Sequence, residues 1–290
     1  TETENYALTV FTAQERKEWE PVIKEVEERT GWNVRVETGS AKEMLSQLEK
    51  EEADWDVAFG VSADALEEGK EYWQTGKDAW TGYSAVSFVI LYNTNVVTYR
   101  ELPTGWDSLL EPRWKGRVAV PDPLKSDMAA SVLTEAAKNS EKEEFLDLLA
   151  ENMQYQMPET FKEVEQGISD GRYSIGVTSE EAAKAMLAAG QDVDYIDPEE
   201  GECFFEDGTA IRKRTPNLDA SEAFVTYTTC DDTKWLLRTQ LLRQPAEDVS
   251  AENDRSDEEL KQRYSRQQEI LNIWKLIMEE KTGPAHEQEQ

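Results

Sequence analysis

The stretch VAVPDPLKSDMAASVL, residues 118–133, passes from a strand-like run through a proline turn into a helix that starts with small polar residues. Ser126, Asp127 and Met128 open that helix. Short side chains at a helix start leave backbone N–H groups uncovered. Together with the helix dipole those groups attract an anion. The same event recurs at Thr12-Ala13-Gln14-Glu15, at Thr38-Gly39-Ser40-Ala41, at Gly60-Val61-Ser62-Ala63-Asp64 and at Thr178-Ser179-Glu180. Any one of these turns is explained by capping alone, since Ser, Thr and Asp are good N-caps. Five turns of one kind, drawn from both halves of the chain, point to a shared ligand cleft. Open α/β sheets bind ligands beyond the carboxyl ends of their strands.

The expected ligand set is Thr12, Ala13, Gln14, Glu15, Ser40, Ser62, Asp64, Ser126, Asp127, Met128, Thr178, Ser179 and Glu180, joined by Trp80 and Tyr83. The serines and threonines offer hydroxyl donors to a phosphate, phosphonate or carboxylate. Glu15, Asp64, Asp127 and Glu180 suit a hydroxyl or an amine on the same solute, or are simply capping or solvated carboxylates. Trp80 and Tyr83 form an aromatic wall of the cleft or belong to the core; the sequence leaves both open.

Enzyme chemistry finds no support. The single histidine, His286, sits in the polar tail KTGPAHEQEQ, so no Ser-His-Asp set can form. No G-x-S-x-G turn and no Gly-rich phosphate loop occur. No catalytic residue, resident metal or cofactor is expected. Cys203 and Cys230 are the only cysteines and match no metal spacing. They form one disulfide in an oxidising compartment or remain two free thiols.

The charge balance narrows the partners. There are 61 acidic and 31 basic residues, a net −30, which repels nucleic-acid phosphates and anionic membranes. A hydrophobic fraction of 38% with nine tryptophans marks a folded chain rather than a disordered one. At 290 residues the chain suits two lobes of about 100–150 residues. No run approaches the roughly 20 apolar residues of a membrane helix.

The elements that carry the turns follow from periodicity. ALTVFTA reads as a strand, and Trp19, Val22, Ile23 and Val26 place one apolar stripe on the helix after it. NVRVETG and WDVAFG are further strands, with a helix marked by Met44, Leu45 and Leu48 between them. SAVSFVILYN is apolar without strict alternation, as in a strand buried on both faces. DVDYID and GTAIRK read as later strands, and the chain from Asp219 onward reads as helices. Strands alternating with helices make an α/β fold with a mostly parallel sheet.

Several of these segments resemble the extracellular solute-binding proteins of bacterial ABC importers, in the cluster of ferric, thiamine, phosphonate and sugar-phosphate binders. ELPTGWDSLLEPRWKGRVAVPDPLKSDMAAS is the most specific stretch. It has the Leu-Pro, the Trp-Asp-Leu-Leu-type helix, the Trp-Lys-Gly and the Pro-Asp-Pro turn of that family. DVAFGVSADAL, GYSAVSFVILYNTNVV and SDGRYSIGVTSEEAAKAMLAAG extend the likeness over nearly the whole chain. The resemblance implies a two-lobed, type II periplasmic-binding-protein fold with two crossover strands at a hinge. Residues 1–85 plus 205–290 would form lobe 1 and 86–204 lobe 2. It also implies hinge closure on a solute in the interlobe cleft, a monomeric chain, and delivery to an ABC permease. The place would be extracellular or periplasmic. The polar start TETENYALTV fits a lipoprotein tethered through a removed leader, or equally a cytosolic chain.

Within the family, ferric binders carry adjacent tyrosines after the strand that here reads YSIGV. This chain has Thr178-Ser179-Glu180-Glu181 there. An organophosphate, phosphonate or other small anion is therefore the favoured solute. Ferric iron, and an organic cation such as thiamine or a polyamine, are the alternatives, as is a solute-sensing module of a signalling system.

Overall fold

The computed structural model describes residues 6–74, 79–201, 203–248 and 255–282, so His286 lies outside the described residues. The chain groups into two compact units. Unit 1 takes the residues up to Ala85 plus Phe205–Tyr264, and unit 2 takes Val86–Phe204 plus the residues from Ser265 on.

In unit 1, β1 (Leu8–Thr12) lies between β2 (Val34–Thr38) and β3 (Val57–Ser62), all parallel. The antiparallel β8 (Cys203–Ile211) pairs with β3, from Val57 opposite Ile211 to Ser62 opposite Asp207. Neighbouring strand residues point to opposite faces, and both faces are covered. Phe11, Trp55 and Val61 pack with Met44 and Leu48 of α2 (Ala41–Glu49) and with Trp73. Val10, Val57 and Phe59 pack with Val22, Ile23 and Val26 of α1 (Arg16–Thr30) and with Phe224 of α8 (Leu218–Thr228). The α1 stripe follows from its i, i+3, i+4, i+7 spacing. Gly31 ends the helix at φ 71°, where its N–H reaches the Glu27 carbonyl.

In unit 2, β5 (Val118–Ala119) runs parallel to β6 (Ile175–Ser179). The 13-residue β4 (Thr81–Asn93) pairs antiparallel with β6 and with β7 (Val193–Ile196) along residues 88–93. Val89, Leu91, Ala119, Val164, Ile168 and Ala183 form its core. The helices are α4 (Asp127–Asn139), α5 (Phe145–Asn152), α6 (Phe161–Ser169) and α7 (Glu180–Ala188).

Three features differ from the sequence-based expectations. Strand β8 starts at Cys203, not at Gly208, because CFFED ends in two acids that read as a loop, and the second, Asp207, is wholly buried here. A short strand, β9 (Gln244–Pro245), interrupts the expected all-helical C-terminal stretch and pairs with Ser84 and Ala85 of β4. The last helix, α10 (Asp257–Thr282), groups with unit 2 from Ser265 on, whereas residues 265–290 were expected with lobe 1. Its Lys281 feels the field of Tyr155 and Asp147 of unit 2.

The buried acid is Asp207, and it anchors a polar network inside unit 1. Its carboxylate accepts from the Ser84 N–H (3.1 Å) and hydroxyl (2.7 Å), from Gln14 Nε2 (2.9 Å) and from Arg243 Nη1 (2.7 Å). Arg243 also donates to the Ser84 hydroxyl (2.9 Å) and, through Nη2, to Glu18 Oε1 (2.8 Å). Asp207 is 0% exposed and Arg243 is 4% exposed. Burial pushes the Asp207 carboxyl up from its ordinary pKa, against the opposing pull of Arg243, Ser84 and Gln14.

Removing one member of such a pair strands the other charge in the interior, at a cost of about 3–5 kcal/mol. Arg243→Leu should lose about that much stability in urea unfolding at neutral pH. Without the guanidinium the Asp207 pKa rises further above its unfolded value. A group raised in this way favours the folded state below its unfolded pKa, and that contribution is lost as pH rises through the folded pKa. The deficit of the variant relative to wild type should therefore shrink on acidification as Asp207 takes up a proton. A deficit that stays constant with pH would show that Asp207 does not carry it.

Candidate functional site

The parallel strands of unit 1 bring three of the five turns to one sheet edge. Thr12 is level with Thr38 across β1–β2 and with Phe59 across β1–β3, so the turns after all three strands leave at the same end. The Gly39 N–H donates to the Thr12 carbonyl at 3.1 Å and ties two of them together. Thr12 is fully buried, and its hydroxyl oxygen accepts from the Gln14 N–H at 3.2 Å. Ala13 is half-buried against the core. Glu15 is an exposed N-cap whose N–H donates to Glu18 Oε2 (3.1 Å) and whose carboxylate faces Lys17 (3.0 Å). Ser40 and Glu43 form a full capping box: Ser40 Oγ accepts from the Glu43 N–H, while the Ser40 N–H and hydroxyl both donate to Glu43 Oε2. Ser62 ends β3 and accepts from the Ala65 N–H at 3.4 Å.

Unit 2 carries the other two turns after a parallel pair of strands. Ser126 follows β5 and Ser179 ends the parallel β6. Ser126 Oγ accepts from the Ala129 N–H (3.3 Å), and Ser179 Oγ accepts from the Ala182 N–H (3.2 Å). Asp127 and Met128 stand half-buried in the first turn of α4. A serine that accepts from the N3 amide still has its O–H to give away. At Ser62, Ser126 and Ser179 no protein acceptor takes that proton among the described residues. At Ser40 the proton is already spent on Glu43.

Several expected ligand residues are engaged elsewhere. Tyr83 is 2% exposed, its ring set edge-on against Phe59 at 4.7 Å, and burial holds its phenol far above the ordinary tyrosine pKa. It is a core aromatic and cannot wall a cleft. Trp80 is half-buried and its indole N–H donates to Glu67 Oε2 at 3.3 Å. Asp64 is buried and faces Arg263 Nε at 3.2 Å, so it answers a protein cation. Thr178 is not a cap: it is fully buried on β6 and its hydroxyl donates to Glu165 Oε1 at 2.6 Å. Glu180 pairs with Lys184 at 2.9 Å. Burial would lower that ammonium's pKa, but Glu180 and Glu181 outweigh it and hold it above its ordinary range. The disulfide does not form. Cys203 is buried with its thiol 3.8 Å from the Val132 carbonyl, Cys230 lies 3.5 Å from the Thr233 hydroxyl, and no disulfide joins them.

Gln14 is the turn residue that the network claims most firmly. Its Nε2 holds Asp207, which fixes the amide orientation, and its Oε1 is buried without a partner among the described residues. Gly60, at φ 62°, leaves room for it, since a Cβ there would stand 2.3 Å from Gln14 Cδ. Sequence reasoning missed Ser84, Asp207, Arg243 and Glu18, which position this turn. The one signal available was the pair of acids that closes the apolar run CFFED. Among the described residues, no three His, Cys, Asp or Glu side chains are placed to hold a metal ion.

Residues 60–268 match the family of bacterial extracellular solute-binding proteins. The chain belongs to that family. Its fold is that of type II periplasmic binding proteins. The ferric binding protein from Campylobacter jejuni is similar at a TM-score of 0.74 and 16% identity, over 93% of this chain and 99% of that one. The periplasmic binding protein AfuA from Actinobacillus pleuropneumoniae, solved with exogenous fructose-6-phosphate, gives 0.75 and 14%, over 94% and 98%. A two-component-system protein described as mediating signal transduction gives 0.68 and 19%, over 92% and 99%. No match among curated proteins was found. As a member of the solute-binding family the chain is a transport protein and not an enzyme, with a small-molecule ligand, an ABC permease as partner and a periplasmic location. No helix among the described residues is long and apolar enough to cross a membrane.

Ser126 is a true N-cap, so changing it is not neutral for the empty protein. Ser126→Ala should cost about 1 kcal/mol and Ser126→Gly only a few tenths. Equal losses for the two in urea unfolding would show that the Oγ–Ala129 bond is not made.

Proposed function

We propose that this solute-binding protein captures a small organophosphate or phosphonate for an ABC importer. The observation that carries the reading is the set of serine caps with hydroxyl protons still to donate: Ser62 in unit 1, and Ser126 and Ser179 in unit 2. Ser62 and Ser179 each end a strand, and Ser126 opens α4 after the proline turn that follows β5. Together with the amides of the longer helices they suit oxygen anions that accept several hydrogen bonds. The net charge of −30 does not oppose this, because salt screens distant carboxylates beyond about 8–10 Å while donors act at contact. Glu15, half-exposed beside Lys17, can address a hydroxyl or amine on the same solute.

Two other readings lose their footing. Ferric iron lacks the tyrosine pair at residues 178–181. An organic cation would want an aromatic box, and Tyr83 is spent in the core while Trp80 is tied to Glu67. The sensor reading has in its favour one structural neighbour at 19% identity, a likeness that shows the fold alone. We take the protein to act as a monomer that does not bind nucleic acid, in keeping with its charge.

A thermal-shift screen tests the reading with glucose-6-phosphate, 2-aminoethylphosphonate, citrate, thiamine, spermidine and ferric citrate. A phosphate or phosphonate ester should stabilise the protein, by about 2.7 kcal/mol when held at 100 times its Kd. Ser126→Leu and Ser179→Leu should each abolish that shift. Stabilisation by ferric citrate or thiamine alone, or unchanged affinity in both variants, would sink the proposal.

A further inference from the structure

Unit 1 contains a cavity of about 430 Å³ far from the turns discussed above. It is built where β8 ends. Ile211 pairs with Val57 at the start of β3, whereas Asp207 pairs with Ser62 at its end. Arg212 thus stands about 17 Å along the strand from Asp207. The cavity is at the opposite edge of the sheet from Thr12, Ser40 and Ser62.

Its lining is of both signs. Arg212, Lys213 and Arg214 are the only run of three basic residues in the chain, and all three line it. Facing them are Glu49 and Glu51, at the end of α2 and just beyond, and Glu71, with Leu48, Ala53 and Tyr72 as apolar surface. Two of these charges cancel at the rim: Arg214 Nη1 meets Glu51 Oε1 at 2.9 Å, with both side chains more than 70% exposed. Lys213 is spent on the chain, its Nζ donating to the Glu71 carbonyl at 2.7 Å.

What remains is one cation and two carboxylates. Arg212 is half-buried and its Nε donates to the Trp55 carbonyl, which fixes the plane of the guanidinium. Its two Nη atoms have no protein acceptor among the described residues. Such a fork matches the oxygens of a carboxylate or phosphate. The Glu49 side chain likewise makes no hydrogen bond or ion pair among the described residues. Burial first, then the fields of Glu71 and Glu49 and a hydrogen bond with the Glu71 side chain, raise the Tyr72 phenol above its ordinary pKa, so both carboxylates act on the same patch. A simple anion would meet Arg212 but also the two glutamates. A simple cation would meet the glutamates but also Arg212.

We propose that this cavity is a second ligand site that takes a small zwitterion, with its oxyanion on Arg212 and its ammonium toward Glu49 and Glu71. The volume falls within the range of small-molecule pockets, and Leu48, Ala53 and Tyr72 add apolar surface beside the charged groups. The pocket stands apart from the serine-capped turns, so it loads whether or not their solute is present.

The test uses phosphoethanolamine and γ-aminobutyrate as zwitterions, one with a phosphate and one with a carboxylate. Inorganic phosphate and ethylamine are the single-charge controls. Amide NMR shifts are followed at Glu51, Tyr72 and Lys213 in the full chain. At least one zwitterion should give saturable shifts there, with an affinity at least about tenfold above either control. Arg212→Gln should weaken zwitterion binding about tenfold or more. Glu49→Gln should weaken the zwitterion while inorganic phosphate, freed of one repelling carboxylate, binds at least as well as before. A response to only one of the two zwitterions decides between phosphate and carboxylate as the anionic group. No saturable shift with either zwitterion, an equal response to inorganic phosphate, or full affinity in Arg212→Gln would overturn the proposal. The spectra of the two variants report their folding directly.

Discussion

A charge taken out of water must be answered inside the protein, and in unit 1 that requirement falls on Asp207. Four donors converge on its carboxylate, from β4, from the turn after β1 and from Arg243 just beyond a π-helical turn at Leu237–Leu241. None of these segments is near another in sequence. Glu18 answers the second arm of Arg243 and, with its other oxygen, caps α1. The turn that carries Gln14 and Glu15 is therefore held by the same ions that hold β4 to β8. A second buried acid, Asp56, does similar work with neutral partners, accepting from the Thr9 N–H, the Thr215 hydroxyl and the Asn217 amide. Neutral donors suffice there because several of them share one carboxylate.

Much of this was legible in the sequence. The apolar spacing of Trp19, Val22, Ile23 and Val26 gave the helix and its buried face, since a period near 3.6 leaves little choice. The capping residues were also readable, because Ser40, Ser62, Ser126 and Ser179 are short acceptors placed one residue before a helix. What a capping residue does with its remaining proton was not readable. Ser40 spends it on Glu43 three residues on, and Ser126 does not have a carboxylate at the matching place. The aromatic reading failed for a similar reason. Tyr83 precedes Ser84 on a strand buried on both faces, and nothing local tells a core tyrosine from a wall. Arg243 and Asp207 were invisible because their pairing is set by strand order, not by spacing.

The chain carries twice as many acids as bases, yet its own interior shows how it holds a carboxylate. The backbone N–H groups of Trp106 and Asp107, at the start of a 3-10 turn, donate to Glu200 at 2.9 and 3.1 Å. A Cβ on Gly105 would collide with that carboxylate, so the backbone itself makes the seat. Oriented amides, not ammonium groups, answer the anion. The same economy of means explains why an acidic protein can present helix starts to an oxyanion.

The two thiols differ in a way that experiment can exploit. Cys203 is sealed in the interior, while Cys230 stands half-buried at the start of α9 (Asp231–Leu236) beside Thr233. No disulfide must be reduced, and no other cysteine competes. Of the two residues, Cys230 is the one partly open to solvent, and a maleimide dye applied to the folded protein should react there. The wild-type chain is thus already a singly addressable scaffold, on which an environment-sensitive fluorophore in unit 1 can be watched without any engineered cysteine.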